Sequence, residues 1–113
     1  MISFEQFKEI ELRVGEVIVA EPIEGSEKLL RLTVSLGVDP VTALRLERKI
    51  LAGIARQYKP EELIGRQIVI VANLEPKQMA GEESRGMLLA ADIPEGPVFL
   101  TPERSVPLGA SIR

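Results

Sequence analysis

The side chains of this 113-residue chain that could do chemistry are concentrated in one stretch. Asn73, Lys77, Gln78, Ser84 and Arg85 crowd a polar loop held between two apolar runs, Ile68 to Ala72 and Met87 to Ala91. Two amides, two cations and a hydroxyl that packing does not need are groups for gripping phosphate oxygens and sugar hydroxyls, and rigid scaffolds carry such groups on loops. Lys28, which ends an acidic loop and begins a strand, offers a further compact charge.

Catalysis has little to work with. The chain has neither cysteine nor histidine, so disulfides, thiolate zinc sites, a cysteine nucleophile and the usual base near neutral pH are all missing. Glu61-Glu62 and Glu82-Glu83 lie beside turn residues and read as solvated surface. We expect no enzyme activity of its own, no cofactor and no metal.

A net charge of −3 argues against a nonspecific polyanion binder. Its distribution matters more. Residues 1–27 hold seven acidic and two basic side chains, residues 28–59 two acidic and seven basic, and residues 60–113 eight acidic and five basic. The middle third can therefore make a basic patch on an acidic chain, or simply the outward positions of half-buried strands.

The elements that must position these groups begin with a short helix, capped by Ser3 and carrying Phe4, Phe7 and Ile10 at helical spacing. From Leu12 to Ala20 the apolar parity changes at Gly15, which predicts a bent or bulged first strand. Leu30, Leu32, Val34 and Leu36 alternate with polar residues, as do Leu44, Leu46 and Ile50 with Arg45, Glu47 and Lys49, predicting a hairpin. Its exposed face would be largely basic, from Arg31, Arg45, Arg48 and Lys49. The connection 38–44 between the two strands has no evident role. Pro60 to Gly65 reads as a short helix with proline at its start and glycine after its end. Gln67–Leu74 and Gly86–Ala91 read as strands apolar on both parities, followed by a short strand at Val98–Leu100 and an extended tail.

This order predicts an all-β protein with short helices: a five-stranded barrel of the oligonucleotide/oligosaccharide-binding (OB) type. It is one domain over 1–113, with an N-terminal helix at 1–10, the barrel at 11–101 and a tail at 102–113. Antiparallel strands of a small barrel normally keep one wet face, and the two apolar strands offer none. The helix and tail must cover them, or a second copy must, and we expect a homodimer with the tail as a contact. No stretch reads as a membrane span or signal peptide, so we expect a cytoplasmic protein without membrane partners.

Over Phe7 to Arg113 the chain resembles the tRNA-binding domain family. Leu12-Arg13-Val14-Gly15, Glu27-Lys28-Leu29, the strand from Leu32 to Gly37, Ala52-Gly53-Ile54-Ala55 and Pro60-Glu61-Glu62-Leu63-Ile64-Gly65 carry the first half of the match. Val71-Ala72-Asn73-Leu74, Glu83-Ser84-Arg85-Gly86-Met87-Leu88-Leu89-Ala90-Ala91 and Val106-Pro107-Leu108-Gly109 carry the second. The family includes the C-terminal domain or detached β subunit of methionyl-tRNA synthetase, free-standing structure-specific tRNA-binding proteins and a secretion-related chaperone branch. Where many members have His-Pro-x-Ala-Asp before the lysine, Ile23-Glu24-Gly25-Ser26-Glu27 stands here. The resemblance implies an OB-fold dimer that grips tRNA by shape, with binding residues at Lys28, Asn73, Lys77, Ser84 and Arg85, and Met87 lining the same groove.

Each has a plainer reading. Lys28 can be a solvated strand end, Asn73 a cap on its own turn, Ser84 a turn closer, and Lys77 and Arg85 partners of Glu75 or Glu82. The basic face would supply a supporting field. The whole aromatic supply is Phe4, Phe7, Tyr58 and Phe99, too little for the stacking by which single-strand binders hold bases. The expected function is therefore noncatalytic recognition of folded tRNA, alone or with a methionyl-tRNA synthetase catalytic chain as partner. The rival is a peptide-binding, chaperone-like protein of the same fold.

Overall fold

The computed structural model describes all of residues 1–113. The chain runs α1 (Phe4–Lys8), β1 (Leu12–Pro22), β2 (Leu30–Val38), β3 (Arg45–Ala52), α2 (Pro60–Leu63), β4 (Gln67–Val71), β5 (Lys77–Met79), β6 (Glu82–Ser84), β7 (Met87–Leu88), β8 (Ala90–Ile93), β9 (Gly96–Phe99) and β10 (Ser111–Ile112). The main sheet has the order β3-β2-β1-β4-β7, with β10 also paired to β1, and its ladders are antiparallel. It curls into an OB-like barrel.

The strict alternation in β2 does what the pattern predicts: Leu30, Leu32, Val34 and Leu36 are buried, and the residues between them face outward. They meet Val17, Ile50, Ile54, Leu63, Ile68 and Ile70 in one core, each such side chain contributing roughly 1.5–3 kcal/mol. Both helices are where their caps put them. Ser3 and Gln6 form a reciprocal capping box. Pro60 opens α2, and Gly65 at φ +86° follows its end.

β1 is bulged, but at a different residue from the parity change. The register against β2 shifts between Val17 and Val19. Gly15 instead permits close packing, because a Cβ there would collide with Val34 Cγ1, and its absence lets β1 press against β2.

Leu44 is not part of β3 and is 67% exposed, because the 38–44 connection is a turn built on Asp39. The Asp39 carboxylate accepts the Val41 and Thr42 N–H groups at 2.8 and 3.0 Å. Its backbone bonds Leu44 and Ala43. These bonds end the alternation before Leu44 can turn inward, and the two N–H groups hold the Asp39 carboxyl below its ordinary range, Thr42 first.

The tail supplies a cover for β4. Gly109 N–H donates to Val14 O at 2.7 Å and Val14 N–H to Ala110 O at 2.9 Å. The Gln67 amide bonds the Val106 backbone in both directions. Val14 and Val69, on the outward side of β1 and β4, are thereby buried. The expected strand Gly86–Ala91 instead divides at Leu89, whose N–H bonds Val69 and whose carbonyl accepts Leu100 N–H. β8 thus leaves the main sheet and pairs only with β9, and this hairpin exposes Ile93 and Val98, with Leu100 just beyond.

Candidate nucleic-acid interface

The polar stretch expected as a loop holds a hairpin. β5 and β6 pair with Lys77 opposite Ser84 and Met79 opposite Glu82. They turn through Ala80 and Gly81 at φ +50° and +77°, the pair of positive angles that a two-residue hairpin with the right strand twist requires. The hairpin is fastened to the open edge of the barrel. Arg85 N–H donates to Lys49 O at 2.8 Å, and Leu51 N–H donates to Ser84 Oγ at 3.0 Å.

Ser84 therefore has a structural place. It is 3% exposed, accepts from Leu51 and aims its hydroxyl at Gly86 O. Asn73, although exposed, is also engaged at both ends. Its Oδ1 accepts Glu11 N–H at 2.8 Å and its Nδ2 donates to Glu9 O at 2.6 Å. It clamps the junction of α1 and β1, and does not cap its own turn.

Lys28, Lys77, Arg85 and Met87 are exposed. The stem of Lys28 lies over Gly53, its Cε 3.5 Å from where a Cβ would sit. Gly53 and Met87 line one shallow groove with Leu51, Ala52, Leu88 and Pro97. Lys28 and Met87, 59 residues apart in sequence, are thus both placed beside Gly53, and Arg85 stands two positions before Met87. Arg85 leans on Glu83 at 2.5 Å, whereas Lys28 and Lys77 make no ion pair.

The four residues expected on one basic face do not share it. Arg31 and Lys49 are on the outward side of β2 and β3, but Arg48 pairs with Val34 and so takes the opposite side, as period-two alternation demands of neighbours. Arg45 is opposite Val38, beyond a register shift, at the far turn. Arg31 and Lys49 converge on Glu82. Arg31 donates Nε and Nη2 to its two oxygens at 2.7 and 2.5 Å, and Lys49 Nζ adds a bond at 3.3 Å. Arg31 also reaches Glu21 at 3.3 Å.

A family model described as "Putative tRNA binding domain" matches residues 12–111. The chain belongs to the tRNA-binding domain family. A methionine–tRNA ligase of Methanothrix thermoacetophila is 57% identical over 113 residues, all of this chain and 16% of the ligase. The chain thus spans between 12% and 16% of the length of such curated relatives. A solved methionyl-tRNA synthetase related protein from Pyrococcus horikoshii is 36% identical with a TM-score of 0.87, covering 100% of this chain and 98% of that one. The chaperone CsaA from Bacillus anthracis is 35% identical with a TM-score of 0.85, covering 100% and 99%.

In this tRNA-binding domain two residues near the candidate interface escape sequence reasoning. Gly53 is hidden in the Ala52-Gly53-Ile54-Ala55 motif, where the stem of Lys28 packs over it. Glu82 reads as solvated surface, yet Arg31, and secondarily Lys49, hold its carboxyl at about 2 instead of the ordinary 4.5. Arg31 is correspondingly raised. A carboxyl depressed in the folded state stabilises above its unfolded value, and that stabilisation is lost as pH falls from 4.5 through about 2. We therefore expect Glu82→Gln to melt below the wild type at neutral pH, with the gap narrowing across that window. Thermal melts at stepped pH check this, and a gap independent of pH would contradict it.

Proposed function

We propose that this chain is a noncatalytic module that binds folded tRNA, acting as a free-standing protein or as the accessory β or C-terminal module of a methionyl-tRNA synthetase. The observation that carries the reading is the pair of exposed lysines without ion-pair partners, Lys28 packed over Gly53 of the Met87 groove and Lys77 opposite Ser84, next to Arg85. Free cations at a barrel surface suit a phosphate backbone, and the scarcity of stacking platforms, Phe4 on α1 being the one exposed aromatic side chain, favours folded RNA over unstacked bases. The solved relative of nearly the same length supports a free-standing form, and the ligase that contains a similar segment supports an accessory one.

The active species in this reading is a cytoplasmic homodimer. Ile93, Val98 and Leu100 on and beside the β8–β9 hairpin leave apolar surface that a second copy would cover. Two linked sites would then hold one large RNA more firmly than either alone.

Bulk tRNA titrated at two salt concentrations tests the proposal. Binding that weakens by roughly one decade per phosphate contact for each decade of salt is expected. No binding at low salt would overturn it. The CsaA likeness supports a second reading, capture of extended peptides on the apolar groove, and suppression of aggregation of an unfolded protein without tRNA binding would favour that one.

A further inference from the structure

We infer that Arg31 and Lys49 form a phosphate site that the chain's own Glu82 occupies. Three facts meet there. The arginine fork and the lysine surround one pair of oxygens, the same donor set that takes two oxygens of a phosphate. The anion filling it comes from β6, at the end of the two-residue Ala80–Gly81 turn, on an element separate from the strands that hold the cations. All three side chains keep partial contact with solvent, between 21% and 44% exposed, so an outside anion can reach the cations once Glu82 moves aside.

Arg31 alone has a second carboxylate, Glu21, which leaves Lys49 wholly dependent on Glu82 for a partner. The four groups sum to zero charge, and removing Glu82 leaves a net cation facing outward. Two backbone-level bonds, from Leu51 to Ser84 Oγ and from Arg85 to Lys49, keep β6 on the barrel without Glu82. The unmasked site therefore stays beside Arg85 and the Lys28–Met87 groove. As built, Glu82 competes with RNA phosphates for two cations and lowers affinity for any polyanion alike. That the gain falls on tRNA rests on the tRNA-binding reading; the anion site itself does not.

The experiment compares wild type, Glu82→Gln, Glu82→Thr and the double variant Glu82→Gln/Arg31→Gln, all of the full chain, each confirmed folded by circular dichroism. Threonine suits a strand and gives a second route to an empty site. Each protein is titrated with bulk tRNA at two salts, and separately with inorganic pyrophosphate by thermal shift. Both single variants are expected to bind tRNA roughly tenfold more tightly at about 0.1 M salt, with a salt slope steeper by about one, the effect of one added phosphate contact. They also gain pyrophosphate protection that the wild type lacks, and Arg31→Gln cancels both gains. Folded single variants with unchanged or weaker binding to both probes overturn the proposal. Pyrophosphate protection without tRNA binding by any of the proteins supports the site and overturns the tRNA reading instead.

Discussion

Replacing Gly109 with alanine destabilises the domain by about 2–5 kcal/mol. The glycine has φ +86°, a conformation that costs an L-residue roughly 1–2 kcal/mol. A Cβ there would also lie 2.5 Å from Leu36 O, a backbone atom of a central strand that cannot step aside alone. Such overpacking typically costs about 1–3 kcal/mol more. The loss falls where the tail is tied down, since Gly109 N–H bonds Val14 O and the next residue's carbonyl accepts Val14 N–H. Against a total stability of roughly 5–15 kcal/mol for a domain of this kind, the loss is large. Denaturant melts measure it, and hydrogen exchange should show Val14 losing protection first. A change under about 0.5 kcal/mol, the scale of an ordinary surface substitution, would mean the tail is not held through this residue.

The largest functional effect is expected from removing Lys28, Lys77 and Arg85 together. If each meets one phosphate, the triple alanine variant binds bulk tRNA roughly a thousandfold more weakly at about 0.1 M salt, and its salt slope flattens by about three. The fold should be untouched. Lys28 and Lys77 have no ion-pair partner, and Arg85 loses only an exposed pair with Glu83, which contributes about 0–1 kcal/mol. Melting curves separate the two effects. Undiminished binding by the folded triple variant would move the interface elsewhere on the barrel.

What the sequence makes legible is whatever depends on neighbours in the chain. The period of two in β2, the capping box at Ser3 and Gln6, and proline before glycine around α2 are all local, and all are found in the structure. The hairpin β5–β6 is local too, yet it stays hidden. Its strands have three residues each, and its turn places Ala80 at a positive angle where Asn or Gly would announce it. Distance in sequence hides the rest. Asn73 bonds residues 62 and 64 positions away, Ser84 a strand 33 away and Glu82 an arginine 51 away. Alternation alone could have separated Arg48 from Lys49. Both stand out as basic in the sequence, but adjacent residues of one strand point to opposite sides.

β10 closes on β1 with Ile112 opposite Leu12, and Phe4 and Arg113 line the same cleft. The two ends of the domain are therefore neighbours, on the α1 side of the fold. A longer polypeptide can enter and leave the domain through a single doorway, so the domain can be inserted into or appended to another protein as a plug-in part. Whichever end carries the connection, the Lys28–Met87 groove keeps its shape, because none of its lining residues comes from the termini.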